Sequence, residues 1–366
     1  MKTKNIILAL IAIALAAIII TRAVRPNNSS SIRVAGIFSL TGNAAVYGEP
    51  AKNGMMLAIE DINAKGGING KLVEAVYEDS QFDPKIAISA YQKARAEGIR
   101  LIVSNGSSVS LALQKPVVDN KDLQFETGAV TPAYSDGVPN TCRLTLTAPV
   151  AGKRLGDFIA EKMKPQSFAA LTINDDFGRS MAENVSKTVS GYGIAVKGAE
   201  SFDKSAGDFR TQITKLAAMK PDVLMVIPLG GQAPALLKQL KELNWKGTMV
   251  SDHWTIINDS IKDLSLVEGI YFVNYDWDGL SWPAYMDRFK TSAPAIAANA
   301  YDSMQLIAYG IKGAGTEDPE SLAKWLIENT EDYQGITGSI TLNPDCEASR
   351  SAVIQQVKDG KFVTVE

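Results

Sequence analysis

The sequence predicts a parallel α/β protein of two lobes, and three observations carry that prediction. Short β-rich runs alternate with longer amphipathic stretches along most of the chain, the pattern of strands joined by crossover helices. The runs are too numerous for one small sheet, and 366 residues is the length of about two domains. The texture also changes at "CRLTLTAPVAGKRLGDFIAEKM", residues 142–163. Arg143–Thr147 reads there as a strand, and the helix after it opens a second α/β series.

Residues 1–31 stand apart from this pattern. Lys2 and Lys4 precede the apolar run Ile6–Ile20, and the polar, serine-rich "TRAVRPNNSSS" follows. These are the parts of an export signal or an N-terminal membrane anchor followed by a linker. Fifteen apolar residues are short for a comfortable span. Thr21-Arg22-Ala23 offers a small-x-small cleavage site with an unfavourable arginine in it, and cleavage and retention both stay open. No cysteine lies nearby, which excludes a lipid-modified N-terminal cysteine.

From residue 32 the elements follow in order. "IRVAGIF" (32–38) reads as a buried strand, and "AKNGMMLAIEDINAKGG" puts Met55, Ala58, Ile59 and Ile62 on one helical face. Gly66 and Gly67 stop that helix. "KLVEAVYED" is the second strand, and "DPKIAISAYQKARAEG" the second helix, with Asp83 as cap and Pro84 as first residue. "IRLIVS" is the third strand. "LQFETGA", "FAALTIN", "VKGAESF", "DVLMVIP" and "GTMVSD" repeat the grammar, each with a helical pattern after it, and Thr131-Pro132 reads as a helix start. The second series ends around "GIYFVNYDW". "WPAYMDRFK" and "AIAANAYDSMQLIAYGIKGAG" are helical, and "ITGSITLNPD" and "AVIQQVKDGKFVTV" read as antiparallel strands.

Composition removes several functional classes. A formal net charge of −3 without a long basic run lacks the electrostatic footprint of nucleic-acid binding. The single histidine, His253, removes most metal sites and most histidine-dependent catalysis. No G-x-S-x-G, H-E-x-x-H or P-loop G-K-[ST] occurs. Asp175 and Asp176 are the best paired acids for an enzyme, though adjacent acids at a strand end are more often a capping or solvated pair. The two cysteines, Cys142 and Cys346, allow either a disulfide in an exported protein or two buried thiols.

In open parallel sheets a ligand sits beyond the carboxyl ends of the strands, where helix N-termini present amides. Two such ends carry hydroxyls here: "IVSNGSS", with Ser107 and Ser108, and "ETGAVT", with Ala129 and Thr131. Hydroxyls and amides at neighbouring helix starts form a cradle for a carboxylate, because each adds a donor where the dipole already favours an anion. Each alone is more often an ordinary cap. Both in one lobe point to a site.

The stretch "IRVAGIFSLTGNAAVYGEPAKNGMMLAIEDINAKGGINGKLVEAVYEDSQFDP" resembles the opening of the branched-chain amino-acid-binding proteins, the type I periplasmic solute-binding proteins of ABC importers. The similarity continues through "LIVSNGSSVSLA", "TGAVTPAYSD", "CRLTLT", "LTINDDFGRSM", "NAYDSMQLIAYGI" and "VKDGKFV", and covers essentially everything from Ile32 onward. It implies two Rossmann-like α/β lobes joined by a three-segment hinge. Residues 32–146 and 280–338 would form lobe 1, and residues 147–279 and 339–366 lobe 2. It also implies a periplasmic or other extracytoplasmic location, an amino acid or similar small carboxylate as ligand, an ABC permease as partner, a monomer, and neither cofactor nor catalysis. A ligand-sensing receptor module on the same fold is the alternative.

The resemblance assigns roles residue by residue. Ser108 takes the serine that meets the ligand carboxylate, with Ser107 the alternative if the loop slips by one. Ala129 takes the residue offering backbone groups, Thr131 the threonine giving hydroxyl and amide, and Tyr47 the aromatic that packs on the ligand. Phe177 stands where the family has tyrosine or phenylalanine, and Leu229 where some members place a tyrosine. The glutamate that receives the ligand ammonium aligns at His253, beside Asp252. An unpaired buried ammonium costs several kcal/mol, so Asp252, Asp175 or Asp302 would have to replace it, or the ligand lacks an α-ammonium. Tyr301 and Asp302 match a recurrent pair with an equally good reading as a helix-face pair. Trp254, Trp277 and Trp282 are candidates to wall the cleft.

Overall fold

A computed structural model describes residues 31–366 except 259, 277–281 and 292–293. The expected leader and Trp277 therefore lie outside the described residues. The first sheet takes β1 (Ile32–Phe38), β2 (Val73–Asp79), β3 (Leu101–Ser104), β4 (Leu123–Glu126) and β5 (Thr141–Arg143) in the order β2-β1-β3-β4-β5. Every neighbour pair is parallel. Between these strands run α1 (Ala45–Ala64), α2 (Pro84–Ala96) and α3 (Ser107–Asp119). β3 and β4 are buried along their whole length, as central strands covered on both faces require. The predicted face of α1 packs inward, with Met55, Ala58, Ile59 and Ile62 all buried. Asp83 caps α2 by accepting from the Lys85 and Ile86 amides at 2.9 and 3.3 Å.

The second series supplies α4 (Ala148–Phe158), β6 (Ser167–Ile173), α5 (Asp176–Gly191), β7 (Ala195–Phe202), α6 (Arg210–Met219), β8 (Val223–Ile227), α7 (Ala233–Glu242), β9 (Thr248–Asp252), α8 (His253–Ile256) and β10 (Tyr271–Tyr275). The chain then returns to the first sheet through α9 (Pro283–Phe289), α10 (Ala295–Ala314) and α11 (Pro319–Asn329). α10 lies directly on α1: a Cβ on Gly54 would stand 1.9 Å from the Ala297 carbonyl oxygen. The hairpin β11 (Tyr333–Gly335) and β12 (Gly338–Ile340) precedes β13 (Ala352–Lys358) and β14 (Lys361–Thr364). The second sheet has seven strands in the order β14-β13-β10-β9-β8-β6-β7. β13 and β14 join it antiparallel, as the tail's pattern predicts. Its edge strand β7 is exposed or half-buried at every residue but the last, Phe202.

Three connections between the sheets are tied to one another. The Tyr275 hydroxyl bonds the Thr145 hydroxyl at 2.7 Å, the Leu146 amide at 3.1 Å and the Asn299 side chain at 3.3 Å. The Leu144 carbonyl accepts from Arg350 Nε at 2.8 Å, and the Ser351 carbonyl from the Asp276 amide at 3.0 Å. Cys142 and Cys346 form a disulfide, which decides between the two alternatives the sequence leaves open. Beside it, buried Arg143 pairs with Glu347.

One predicted element does not form. After Thr131 the chain makes turns over 132–137 rather than a helix. Arg143 Nη1 donates to the carbonyls of both Ala129 and Thr131 and ties this loop to β5. Ser135 and Gly137 then take left-handed backbone angles, φ 63° and 65°, which a helix cannot accommodate. The Thr-Pro signal is a turn signal in this setting.

Candidate functional site

The carboxyl ends of the parallel strands of the two sheets face each other and line a cavity. From the first sheet come Tyr47 of α1, Phe82 after β2, Asn105 to Ser107 after β3, and Gly128 after β4. From the second come Phe177, Leu229 and Trp254, which follow β6, β8 and β9, three adjacent strands. Ile296 of α10 closes the side. About 330 Å³ of space outside atoms, part of it open to solvent, lies along this lining.

Direct contacts hold the walls together. The Tyr47 hydroxyl donates to the Trp254 carbonyl at 2.9 Å, and its ring meets the indole edge-on at 5.9 Å. Asn43 donates to the Lys204 carbonyl at 2.9 Å, and the Lys204 ammonium reaches Asp83 at 2.9 Å and the Phe82 carbonyl at 3.2 Å. Gly231 lies so close to the opposite wall that a Cβ would stand 2.8 Å from Asn43 Cα.

The candidate residues from the sequence divide into two groups. Tyr47, Ser107 and Phe177 line the cavity, together with Leu229 and Trp254. Ser107 also accepts from the Val130 amide at 3.2 Å, which leaves its proton free to donate. Ser108, Ala129, Thr131, Asp252 and His253 lie behind or beside the lining. The Ser108 hydroxyl donates to Asp176 Oδ2 at 2.8 Å and accepts from the Asp176 amide at 3.2 Å. It thus bridges the starts of α3 and α5. The Ala129 amide is taken by Glu126, which also accepts from the amides of Gly128 and Gly106 and from the Ser110 hydroxyl.

Three further candidates, Asp302, Tyr301 and Trp282, have structural partners. Asp302 spends its oxygens on Ile336 N at 2.8 Å, Thr337 N at 2.8 Å and the Thr337 hydroxyl at 2.6 Å. It secures the β11–β12 turn with both of its carboxylate oxygens. Tyr301 bonds Asp61 at 2.7 Å, the ordinary helix-face role. Trp282 packs with Tyr285, Ala297 and Ala298, away from the cavity.

Phe82, Asn105, Gly106, Gly128 and Ile296 were not singled out by the sequence. The first four follow carboxyl ends of β2, β3 and β4, so the rule that ligands sit beyond strand ends was a usable signal for them. Ile296 has no such signal, because a helix far along the chain delivers it.

The electrostatics of the site are those of buried acids. Burial outweighs the hydrogen bonds of Glu126 and pushes its carboxyl up to about 7. Burial likewise raises Asp175 to about 7 and Asp252 to about 6. His253, packed between the rings of Trp254 and Tyr275 at 4.2 and 4.8 Å, is driven down to about 3 by burial and stays neutral. It cannot serve as a cation. Burial also raises the Tyr47 hydroxyl well above its ordinary value, and the charges of Asp252 and then Asp175 act in the same direction.

These raised carboxyl values set a pH dependence. Unfolded carboxyls titrate near 4, so the three groups stabilise the fold fully below that value and lose the contribution as pH rises through about 6 to 7. Thermal unfolding of the ligand-free protein is expected to fall between pH 5.5 and pH 8. Glu126→Gln is expected to flatten that slope, and an unchanged slope in this variant would remove Glu126 from the account.

Comparison with known proteins gives consistent matches. A family model described as periplasmic binding protein matches residues 31–361. The leucine-, isoleucine-, valine-, threonine- and alanine-binding protein of Pseudomonas aeruginosa is 28% identical over 328 residues, covering 85% of this chain and 86% of that protein. The Leu/Ile/Val-binding protein BraC3 of Rhizobium johnstonii is 26% identical over 375 residues, covering 96% and 98%. Among solved structures, the leucine-binding protein LivK of Thermotoga maritima superposes with a TM-score of 0.83 at 21% identity, over 92% of this chain and 98% of that one. A solute-binding protein of an ABC transporter from R. palustris, solved in complex with benzoate, gives 0.83 at 18% identity over 92% and 96%. At these identities the structural matches speak for the fold alone.

Proposed function

The chain belongs to the periplasmic binding protein family, and from that premise we propose that it captures an amino acid, branched-chain or a related small carboxylate, outside the cytoplasm and hands it to an ABC importer. The observation that carries this reading is a cavity walled by both sheets and bridged by hydrogen bonds between them. Contacts available only when the walls meet let a ligand shift an open–closed equilibrium. The closed shape is then what a membrane permease recognises. In this reading the protein works as a monomer and performs no chemistry. The lobes comprise 32–146 with 280–338 and 147–279 with 339–366.

Ser107 and the amides opening α3 form the carboxylate end of the site in this reading, with Ser108 and Thr131 as neighbours that shape it. Tyr47, Phe177, Leu229 and Trp254 form the apolar wall. That wall favours an aliphatic or aromatic side chain, and the names of the relatives point the same way.

Amino acids, short amides and small organic acids titrated into the purified protein test the proposal by thermal shift and tryptophan fluorescence, with Trp254 as the reporter in the wall. At least one amino acid is expected to raise the melting temperature and change the emission. Ser107→Ala is expected to weaken that ligand by about 1–3 kcal/mol, the cost of a polar group left unpaired in a closed site. Silence across the whole panel would overturn the ligand class.

A further inference from the structure

We propose that the loop 203–206, through Lys204, is a latch that clamps the outer edges of the two lobes together and so sets how long a captured solute stays bound. The assignment rests on the closure reading above and names residues that hold the closed form.

Place in the sheets gives this contact its leverage. The connections between the sheets run beside β5 of the first and beside β10 and β13 of the second, where Tyr275 and Arg350 tie them. Lys204 follows β7 and Asp83 follows β2, the edge strands on the far side of each sheet. β2 stands four strands from β5, and β7 four strands from β10. At the usual strand spacing each edge is about 19 Å from the connections. A hinge rotation of about 15° at that radius parts the edges by about 5 Å, beyond hydrogen-bond reach. Contacts at these edges therefore belong to the closed form, and opening breaks them first.

Both sides of the contact are shaped in advance. Buried Gln232, after β8, donates to the Asp203 and Ala206 carbonyls at 3.1 and 2.9 Å. Asp203 accepts from the Ser205 amide at 2.8 Å and from its hydroxyl at 2.6 Å. The loop is thus held from inside its own lobe, with Lys204 left to reach across. On the other side Asp83 uses Oδ1 to cap α2 and keeps Oδ2 for the Lys204 ammonium at 2.9 Å. The Lys204 hydrogen bond holds the Asp83 carboxyl below its ordinary value, so the pair is charged at neutral pH. Two further bonds fix the same loop to the first lobe. The ammonium donates to the carbonyl of Phe82, a cavity-lining residue, at 3.2 Å, and Asn43 donates to the Lys204 carbonyl at 2.9 Å. Among the described residues no other ion pair joins the strand-end loops of the two sheets, since Arg143–Glu347 lies at the connections.

Leucine is the probe, measured by calorimetry and by the rate at which tryptophan emission recovers on dissociation from the whole protein. Lys204→Met, which keeps the length of the side chain and removes its charge, is expected to weaken leucine roughly three- to tenfold. That is the effect of one half-exposed ion pair and one hydrogen bond, and it is expected in the dissociation rate. Lys204→Arg is expected to restore most of the loss. Wild-type affinity is expected to fall with added salt, which screens an exposed pair, and Lys204→Met to flatten that dependence. Asp83→Asn keeps the α2 cap, because asparagine also caps helices. Combined with Lys204→Met it is expected to add little to the single loss. Ligand-free melting near that of the wild type shows that each variant is folded. A water-soluble carbodiimide, which couples a carboxylate to an ammonium in contact with it, is expected to join Lys204 to Asp83 in the wild type, and more so with leucine bound. Unchanged leucine affinity and dissociation in Lys204→Met, or no such cross-link, overturns the latch and leaves solute capture standing. A cross-link that forms while leucine fails to bind the wild type leaves the latch standing and overturns the branched-chain reading.

Discussion

Removing the Cys142–Cys346 disulfide, by the double substitution to serine or by reduction, is expected to cost about 5 kcal/mol of stability, the chain-entropy value for a loop of this length. The bridge closes 204 residues of sequence, including the parallel part of the second sheet and the returning helices. Both cysteines are buried, and Arg143 donates its amide to the Cys346 carbonyl at 2.9 Å next to them. The bridge therefore staples β5 to the third connection between the sheets. Guanidinium unfolding with and without reductant measures the effect as a shift in midpoint. Coincident curves would mean that the neighbouring Arg143–Glu347 pair and backbone bonds already hold this corner.

Gly231→Val is expected to weaken ligand binding by about 1–3 kcal/mol or more, with the fold intact. The three nearest atoms that a Cβ at this position would meet all belong to Asn43: its Cα and carbonyl oxygen at 2.8 Å and its side-chain oxygen at 2.9 Å. Two of these atoms are backbone and cannot rotate away, so overpacking costs of this size apply. Because Asn43 belongs to the opposite wall, the penalty falls on the closed form and shifts the open–closed equilibrium directly. Unchanged melting of the free protein, together with loss of ligand-induced compaction in small-angle scattering, is the expected signature. Wild-type affinity in this variant would show that the two walls need not approach so closely for binding.

Much of the fold was legible in the sequence because its signals are local. The inward face of α1, the Asp83 cap and the stops at Gly66 and Gly67 depend on residues within a turn or two of each other. The antiparallel tail was equally readable. The failure at Thr131 has a different origin: its carbonyl is captured by Arg143, twelve positions later on β5, and no local pattern announces that capture. The strand-end hydroxyls and the resemblance both put a ligand contact at Ser108, and in the folded chain its hydroxyl meets Asp176, 68 residues away. Asp302 was open as an acceptor until the β11–β12 turn used its oxygens.

The sequence by itself determined the class of architecture, the two α/β series, and the strand ends at which a ligand would be held. Periodicity, caps and strand composition are short-range, and they repeat often enough along this chain to be read without coordinates. Tertiary structure alone decided which polar groups remain free for a ligand. Hydrogen bonds are short and directional, so a donor or acceptor counts as available only after every distant partner has been placed. Glu126 consumes the Ala129 amide and Asp176 the Ser108 hydroxyl. Among the described residues Ser107 accepts from the Val130 amide and can still donate its proton, and Asp175 and Asp252 each keep one buried oxygen without a hydrogen-bond partner.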